Sequence, residues 1–267
     1  MPIFLVGESI PEVWEGSILE LLDKGRRIPT QYDKEGDPPS WDDTAMLVVD
    51  NPMGDVRIHR WFPGGLVELE SYRQEVVDGI HDHWIDPSAG SWQYSYHERL
   101  FDYTVPTKES NDQIDYIVRT LKDCPYSRRA QAVLWKAWDD QGISDPCCLQ
   151  RLHCRIVDGK LVMNTHMRSN DALRAAFMNM YAFTDLQREI ADRLGVPVGR
   201  YIHIADSYHI YGSCSKDVHN FKSYLLNRKD FEDRIFRLSD IQYMLGEAKE
   251  LVAKSLQVEL ETGRKGL

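Results

Sequence analysis

The period of hydrophobic positions changes several times along this 267-residue chain, and each change marks an element. The clearest signal is a pair of runs rich in Leu, Ile and Val, Leu149 to Val157 and Lys160 to Met167, joined by Asp158-Gly159. Asp-Gly between two such runs predicts a hairpin with a two-residue loop, because both central positions of that loop take positive φ. Counting outward from Val157 opposite Lys160 brings Cys148 level with Ser169, with Arg168 beside it. A single bulge would carry either side chain to the other face, so the pattern leaves open whether Cys148 and Arg168 share a face. The helical period governs elsewhere. Residues 112–122 place Ile114, Ile117, Val118 and Leu121 on one face. Arg174 to Leu194 is the longest helical pattern, striped by Phe177, Tyr181, Ile190 and Leu194 and ended by Gly195 and Pro197. Its small residues Ala175, Ala176, Ala182 and Ala191 suit a buried central helix. Shorter helices are predicted over 17–24 and 69–77, from a Ser215 cap to Leu226, and from a Ser239 cap to about Leu256. Strands are predicted over 46–49, 56–61, 130–138 and 200–205. Residues 26–43 read as a polar loop and 80–107 as irregular and rich in Trp, Tyr and His. The expected fold class is α+β, one domain over 1–267 with a mixed sheet covered by a long central helix and peripheral helices.

Composition narrows the function classes. A net charge of -10 with 42% hydrophobic residues describes a soluble globular protein and argues against nucleic acid or a membrane surface as partner. It does not argue against an anionic small molecule, because a few converging arginines override the global field locally. The five cysteines (Cys124, Cys147, Cys148, Cys154, Cys214) are odd in number and form no disulfide framework, so a reducing, cytoplasmic setting is expected. The first residues have no basic segment, so no signal peptide is expected, and no apolar run approaches the roughly 20 residues of a membrane span.

The candidate chemistry centres on Cys148. A cation beside a cysteine favours the thiolate, which is the nucleophile, and Arg168 is placed to supply it; the bland alternative is a buried strand cysteine. Cys147, Cys148, His153 and Cys154 do not read as a metal site. Strand alternation puts 148, 150, 152 and 154 on one face and 153 on the other, and no second Cys-x-x-Cys exists, so no metal is expected. Arg128-Arg129 is either a solvated basic turn or an anion site, and Arg26-Arg27 is a weaker version of the same. His209 and Tyr211, after a short Asp206-Ser207 turn, share a side and suit a polyol. The amide of Asn179 offers both donor and acceptor to a base edge.

These pieces, in this order, resemble the thymidylate synthase family. The resemblance covers roughly residues 94 to 225 and rests on Tyr96-His97-Glu98-Arg99, Pro125-Tyr126-Ser127-Arg128-Arg129, Cys148-Leu149-Gln150, Asp158-Gly159-Lys160-Leu161, Arg168-Ser169-x-Asp171, Asn179 and His209-Ile210-Tyr211. The Cys-Leu-Gln and Ser-Arg-Arg-Ala forms look closer to the archaeal and phage branches than to common bacterial enzymes. The resemblance implies a homodimeric enzyme in which a thiolate adds to C6 of a pyrimidine nucleotide, so that C5 attacks a one-carbon unit carried by a reduced folate. It implies that Cys148 is the nucleophile, Cys147 standing where a proline is common. Arg168 with Ser169, and Arg128 and Arg129 from the partner subunit, would hold the phosphate, with Arg27 as a fourth cation. Asn179 would read the base, and His209 and Tyr211 the sugar. Tyr96 and a glutamate, Glu75 or Glu70, would handle protons, and Asp171, Trp84, Ala175 and Met178 would border the pterin. The implied co-substrate is 5,10-methylenetetrahydrofolate or a related reduced pterin. The implied reaction is dUMP to dTMP, with 5-hydroxymethylation of dUMP, dCMP or CMP as the runner-up and a non-catalytic nucleotide- or RNA-binding regulator as the third reading. Three departures stand out: Arg174-Ala175 replaces Leu-Gly, Met178 replaces Phe, and residues 261–267 do not resemble the family's apolar closing tail.

Overall fold

The computed structural model describes residues 2–263, so the last four residues of the departing tail lie outside the described residues. The strands are β1 (Ile3–Gly7), β2 (Arg26–Ile28), β3 (Ser40–Val49), β4 (Val56–His59), β5 (Tyr103–Val105), β6 (Lys108–Asn111), β7 (Gln131–Val133), β8 (Leu149–Val157), β9 (Lys160–Asp171), β10 (Val198–Ile210) and β11 (Ile235–Arg237). The helices are α1 (Ile10–Lys24), α2 (Leu66–Val77), α3 (Tyr96–Phe101), α4 (Gln113–Asp123), α5 (Ala176–Leu194), α6 (Ser215–Asn227) and α7 (Leu238–Thr262). One seven-stranded sheet runs β1-β3-β10-β9-β8-β7, with β2 paired to β3. It is mixed: β1 with β3 and β10 with β9 are parallel, and the remaining pairs are antiparallel. The expected α+β class therefore holds.

The core lies between one face of this sheet and helices α1 and α5. Leu161, Met163 and Met167 of β9 and Tyr201 and Ala205 of β10 are buried there with Trp14, Phe177 and Phe183. The Trp14 indole N–H donates to Ala172 O at 2.8 Å, which ties α1 to the turn entering α5. Helix α5 is buried along most of its length, as its alanines and apolar stripe predict.

Several boundaries differ from those the pattern suggests, each for a local reason. Helix α1 begins at Ile10, well before Ser17, because Ser9 caps it and Pro11 falls in the first turn, where a missing N–H costs nothing. Residues 26–43 are not all loop: β2 and the start of β3 pair there. The strand at 130–138 shrinks to Gln131–Val133. Helix α7, at 25 residues, exceeds the 19 of α5, so the Arg174 to Leu194 pattern is not the longest helix. Neither Ser215 nor Ser239 caps by its side chain; Ser239 Oγ instead donates to Asp55 Oδ2 at 3.0 Å. Asp206-Ser207 is not a turn but an irregularity within β10, where pairing with β3 skips from Ala205 to Tyr208.

The hairpin forms with the expected loop. Val157 pairs Lys160, and Asp158 and Gly159 take φ of 49° and 73°. The count outward fails at Gln150: Arg151 pairs His166 but Leu149 pairs Met167. This bulge brings Cys148 level with Arg168, not Ser169, and the Arg168 N–H donates to Cys148 O at 2.9 Å. It also breaks the predicted alternation, since Leu149 and Leu152 are both fully buried.

Candidate active site

The bulge decides which cysteine meets the arginine. The Arg168 guanidinium lies with Nη2 3.4 Å from Cys148 Sγ, while its Nε donates to Cys147 O at 3.0 Å and Nη2 also donates to Pro146 O. Burial pushes the Cys148 thiol up, and the Arg168 charge and hydrogen bond pull it back toward the thiolate. Cys147 takes the opposite side. It is fully buried, its thiol donates to Leu149 O at 3.0 Å, and burial raises its pKa much further. Of the adjacent pair, Cys148 alone faces a cavity.

That cavity, of about 250 Å³, collects residues from five elements. Cys148 precedes β8, Ser169 and Asp171 end β9, Ala175 and Asn179 open α5, His209 and Tyr211 follow from β10, and Tyr72 and Tyr96 come from α2 and α3. His209 Nδ1–H donates to Ser207 O at 3.3 Å, and the Ser207 hydroxyl donates to Asp42 Oδ2 at 2.7 Å. His209 Nε2 is buried with no hydrogen-bond partner among the described residues. An imidazole with Nδ1 protonated presents Nε2 as an acceptor, which is the complement of a hydroxyl. Asp171 Oδ1 accepts from the backbone N–H of Leu173 and Arg174 at 3.0 and 2.9 Å, which shapes the entry into α5, while burial raises its carboxyl pKa.

A second cavity of about 530 Å³ adjoins the first and shares Tyr72 and Tyr96 as walls. Trp92, Tyr94, Glu75 and Asp145 complete its lining. Glu75 Oε1 accepts from His81 Nδ1–H at 2.8 Å, and burial holds the carboxyl above its usual range against the pull of His81. Glu70 lines neither cavity and is engaged by Arg73 at 3.0 Å and by Gln74 at 2.8 Å. Of the two candidate glutamates, Glu75 is the one at the cleft.

Other sequence candidates stand apart from both cavities. Arg128 and Arg129 are exposed on the turn before β7. Arg27 stacks on Trp41, 3.4 Å from the ring centre, and donates to Pro39 O at 2.6 Å. Trp84 stacks on His81 with ring centres 3.8 Å apart and donates its indole N–H to Glu259 of α7; Trp92 is the tryptophan at the cleft. Met178 is half-buried against the core. Sequence reasoning did not single out Tyr72 or Trp92. Trp92 lay in a stretch flagged only for its aromatic content. Tyr72 carried one signal, its position one helical turn before Glu75.

The thymidylate synthase family matches residues 60–252. A Methanocaldococcus jannaschii protein named "Putative thymidylate synthase" is 30% identical over 208 residues, covering 76% of this chain and 88% of that protein. A thymidylate synthase of Bacillus licheniformis is 32% identical over 149 residues, 54% of this chain and 53% of that protein. Among solved structures, the thermostable thymidylate synthase A from Bacillus subtilis superposes with a TM-score of 0.61 at 21% identity, covering 80% of this chain and 83% of that one.

Proposed function

The chain belongs to the thymidylate synthase family, and from that premise we propose that it is an enzyme that transfers a one-carbon unit to C5 of a pyrimidine nucleotide, converting dUMP to dTMP. The observation that carries this reading is Cys148 Sγ held 3.4 Å from the Arg168 guanidinium, at the wall of a cavity that also contains Asn179 and the unpartnered His209 Nε2. In this reading Arg168 stabilises the Cys148 thiolate, which adds to C6 of the base. Charge then builds on O4, where the Asn179 amide donates, and C5 becomes the attacking carbon. His209 Nε2 accepts from a sugar hydroxyl beside Tyr211. A nucleotide phosphate answers the Arg168 guanidinium, joined by Arg128 and Arg129 of a second copy; Arg27 would have to leave Trp41 and Pro39 O to serve as a further cation.

The larger cavity fits a reduced pterin, having aromatic walls in Trp92, Tyr94 and Tyr96 and polar groups in Glu75 and Asp145. Methylenetetrahydrofolate, when bound there, would supply both the one-carbon unit and the hydride that reduces it to a methyl group. Tyr96, which walls both cavities, and Glu75, which lines the larger one, are then the groups that move protons. A homodimer is part of the reading: Phe4 and Val6, 63% and 53% exposed, and Met46 leave an apolar surface on β1 and β3.

One observation favours 5-hydroxymethylation as a second outcome. In the last turn of helix α7, Glu259 is held by His83 and Trp84, and no residue of α7 lines the larger cavity among the described residues. A cleft that α7 does not cover admits water. Both outcomes replace the hydrogen at C5, so release of tritium from [5-³H]dUMP tests the shared claim. Release that requires methylenetetrahydrofolate is expected; dUMP that binds but retains its tritium would count against the reading.

A further inference from the structure

We propose that Tyr72 is a positioning residue that locks the Asn179 amide in the orientation that reads uracil. The inference rests on a pyrimidine nucleotide occupying the Cys148 cavity. Tyr72 on α2 reaches across to α5, and its phenol O–H donates to Asn179 Oδ1. Asn179 is only 4% exposed, and its backbone N–H is already spent on Ala175 O at 2.9 Å. Both side chains line the Cys148 cavity, so this hydrogen bond is part of its wall. Burial keeps the phenol protonated, which makes it a permanent donor.

The consequence is an amide with distinguishable ends. A carbonyl oxygen has two lone pairs, so Oδ1 can take the Tyr72 proton and the N3–H of uracil together, leaving Nδ2–H for O4. Cytosine presents a bare N3 and an amino group, the reverse pattern. Asn179 would have to turn over to satisfy it, and turning over breaks the bond from Tyr72. A freely rotating asparagine would discriminate less. No glutamate of α2 offers cytosine an alternative: Glu75 lines only the larger cavity and is held by His81, and Glu68 and Glu70 line neither.

The test is a double-mutant cycle read as the ratio of kcat/KM for dUMP over dCMP, by release of tritium from C5. The variants are Tyr72→Phe, Asn179→Asp and the pair. Tyr72→Phe alone should lower the ratio about tenfold, the worth of one buried hydrogen bond. In the Asn179→Asp background the two carboxylate oxygens are equivalent and there is no orientation to lock. There Tyr72→Phe should leave the ratio unchanged, while Asn179→Asp itself moves preference toward dCMP. A structural role for Tyr72 would instead lower both activities equally in both backgrounds. A circular dichroism spectrum and a cooperative thermal transition matching wild type verify that each variant is folded. An unchanged ratio in Tyr72→Phe, or an equal effect in both backgrounds, overturns the assignment of Tyr72 alone. Wild-type protein inactive on both nucleotides overturns the functional reading beneath it.

Discussion

Mixing two inactive variants, Cys148→Ala and Arg128→Ala/Arg129→Ala, should restore activity that neither has alone. The reason is geometric. Arg168 touches Cys148 in its own chain, whereas Arg128 and Arg129 are exposed on the turn before β7 and line neither cavity of that chain. If they serve a phosphate, they serve one bound by a second copy. A chain with net charge of -10 needs several guanidiniums close together to hold a dianion. In a two-fold dimer each site then takes Cys148 from one chain and the arginine pair from the other. After subunit exchange at equal concentration, half of the dimers are mixed and one of their two sites is whole, so about a quarter of wild-type activity should return. Recovery is measured as tritium release after exchange. None above the two separate backgrounds, or full wild-type activity in a monomer by light scattering, would refute the shared site.

The second large effect is at the nucleophile. Cys148→Ala should abolish the covalent adduct with 5-fluoro-dUMP and lower turnover by at least about ten-thousandfold, the scale lost when a covalent catalyst is removed. Cys147→Ala should retain the adduct. The two differ because the bulge at Gln150 leaves Cys148 beside a cation in a cavity, while Cys147 is fully buried with its thiol bonded to Leu149 O. Peptide mapping of the trapped protein distinguishes them. An adduct on Cys147, or substantial turnover in Cys148→Ala, would show that Cys148 is not the nucleophile.

The contrast between these cysteines shows what a sequence carries and what it does not. The hairpin was legible because Asp158-Gly159 makes a local demand on φ that few other residue pairs meet. The bulge was not, since counting by twos assumes unbroken pairing, and the slip at Gln150 is set by how Leu149 and Leu152 both reach the core. Helix α5 was legible from its stripe and its alanines. The length of α7 was not, because much of it is exposed and its buried contacts are widely spaced at Ile241, Ala248, Val252 and Glu259. Asn179 stood out as a polar side chain on an apolar helix. Its partner Tyr72 did not, because α2 and α5 are far apart in sequence and meet only in the folded chain. Trp84 was the tryptophan expected at the pterin, but nothing in an irregular aromatic segment separates it from Trp92, and the fold turns Trp84 toward Glu259 and Trp92 toward the cleft.

The most direct test of the central claim is mass spectrometry of the nucleotide recovered after incubating the protein with dUMP and methylenetetrahydrofolate. The account predicts dTMP, a methyl group gained at C5, and a hydroxymethyl group there would select the second outcome of the same chemistry. Recovery of unmodified dUMP from protein that has bound both molecules, or a carbon added anywhere other than C5, would contradict it.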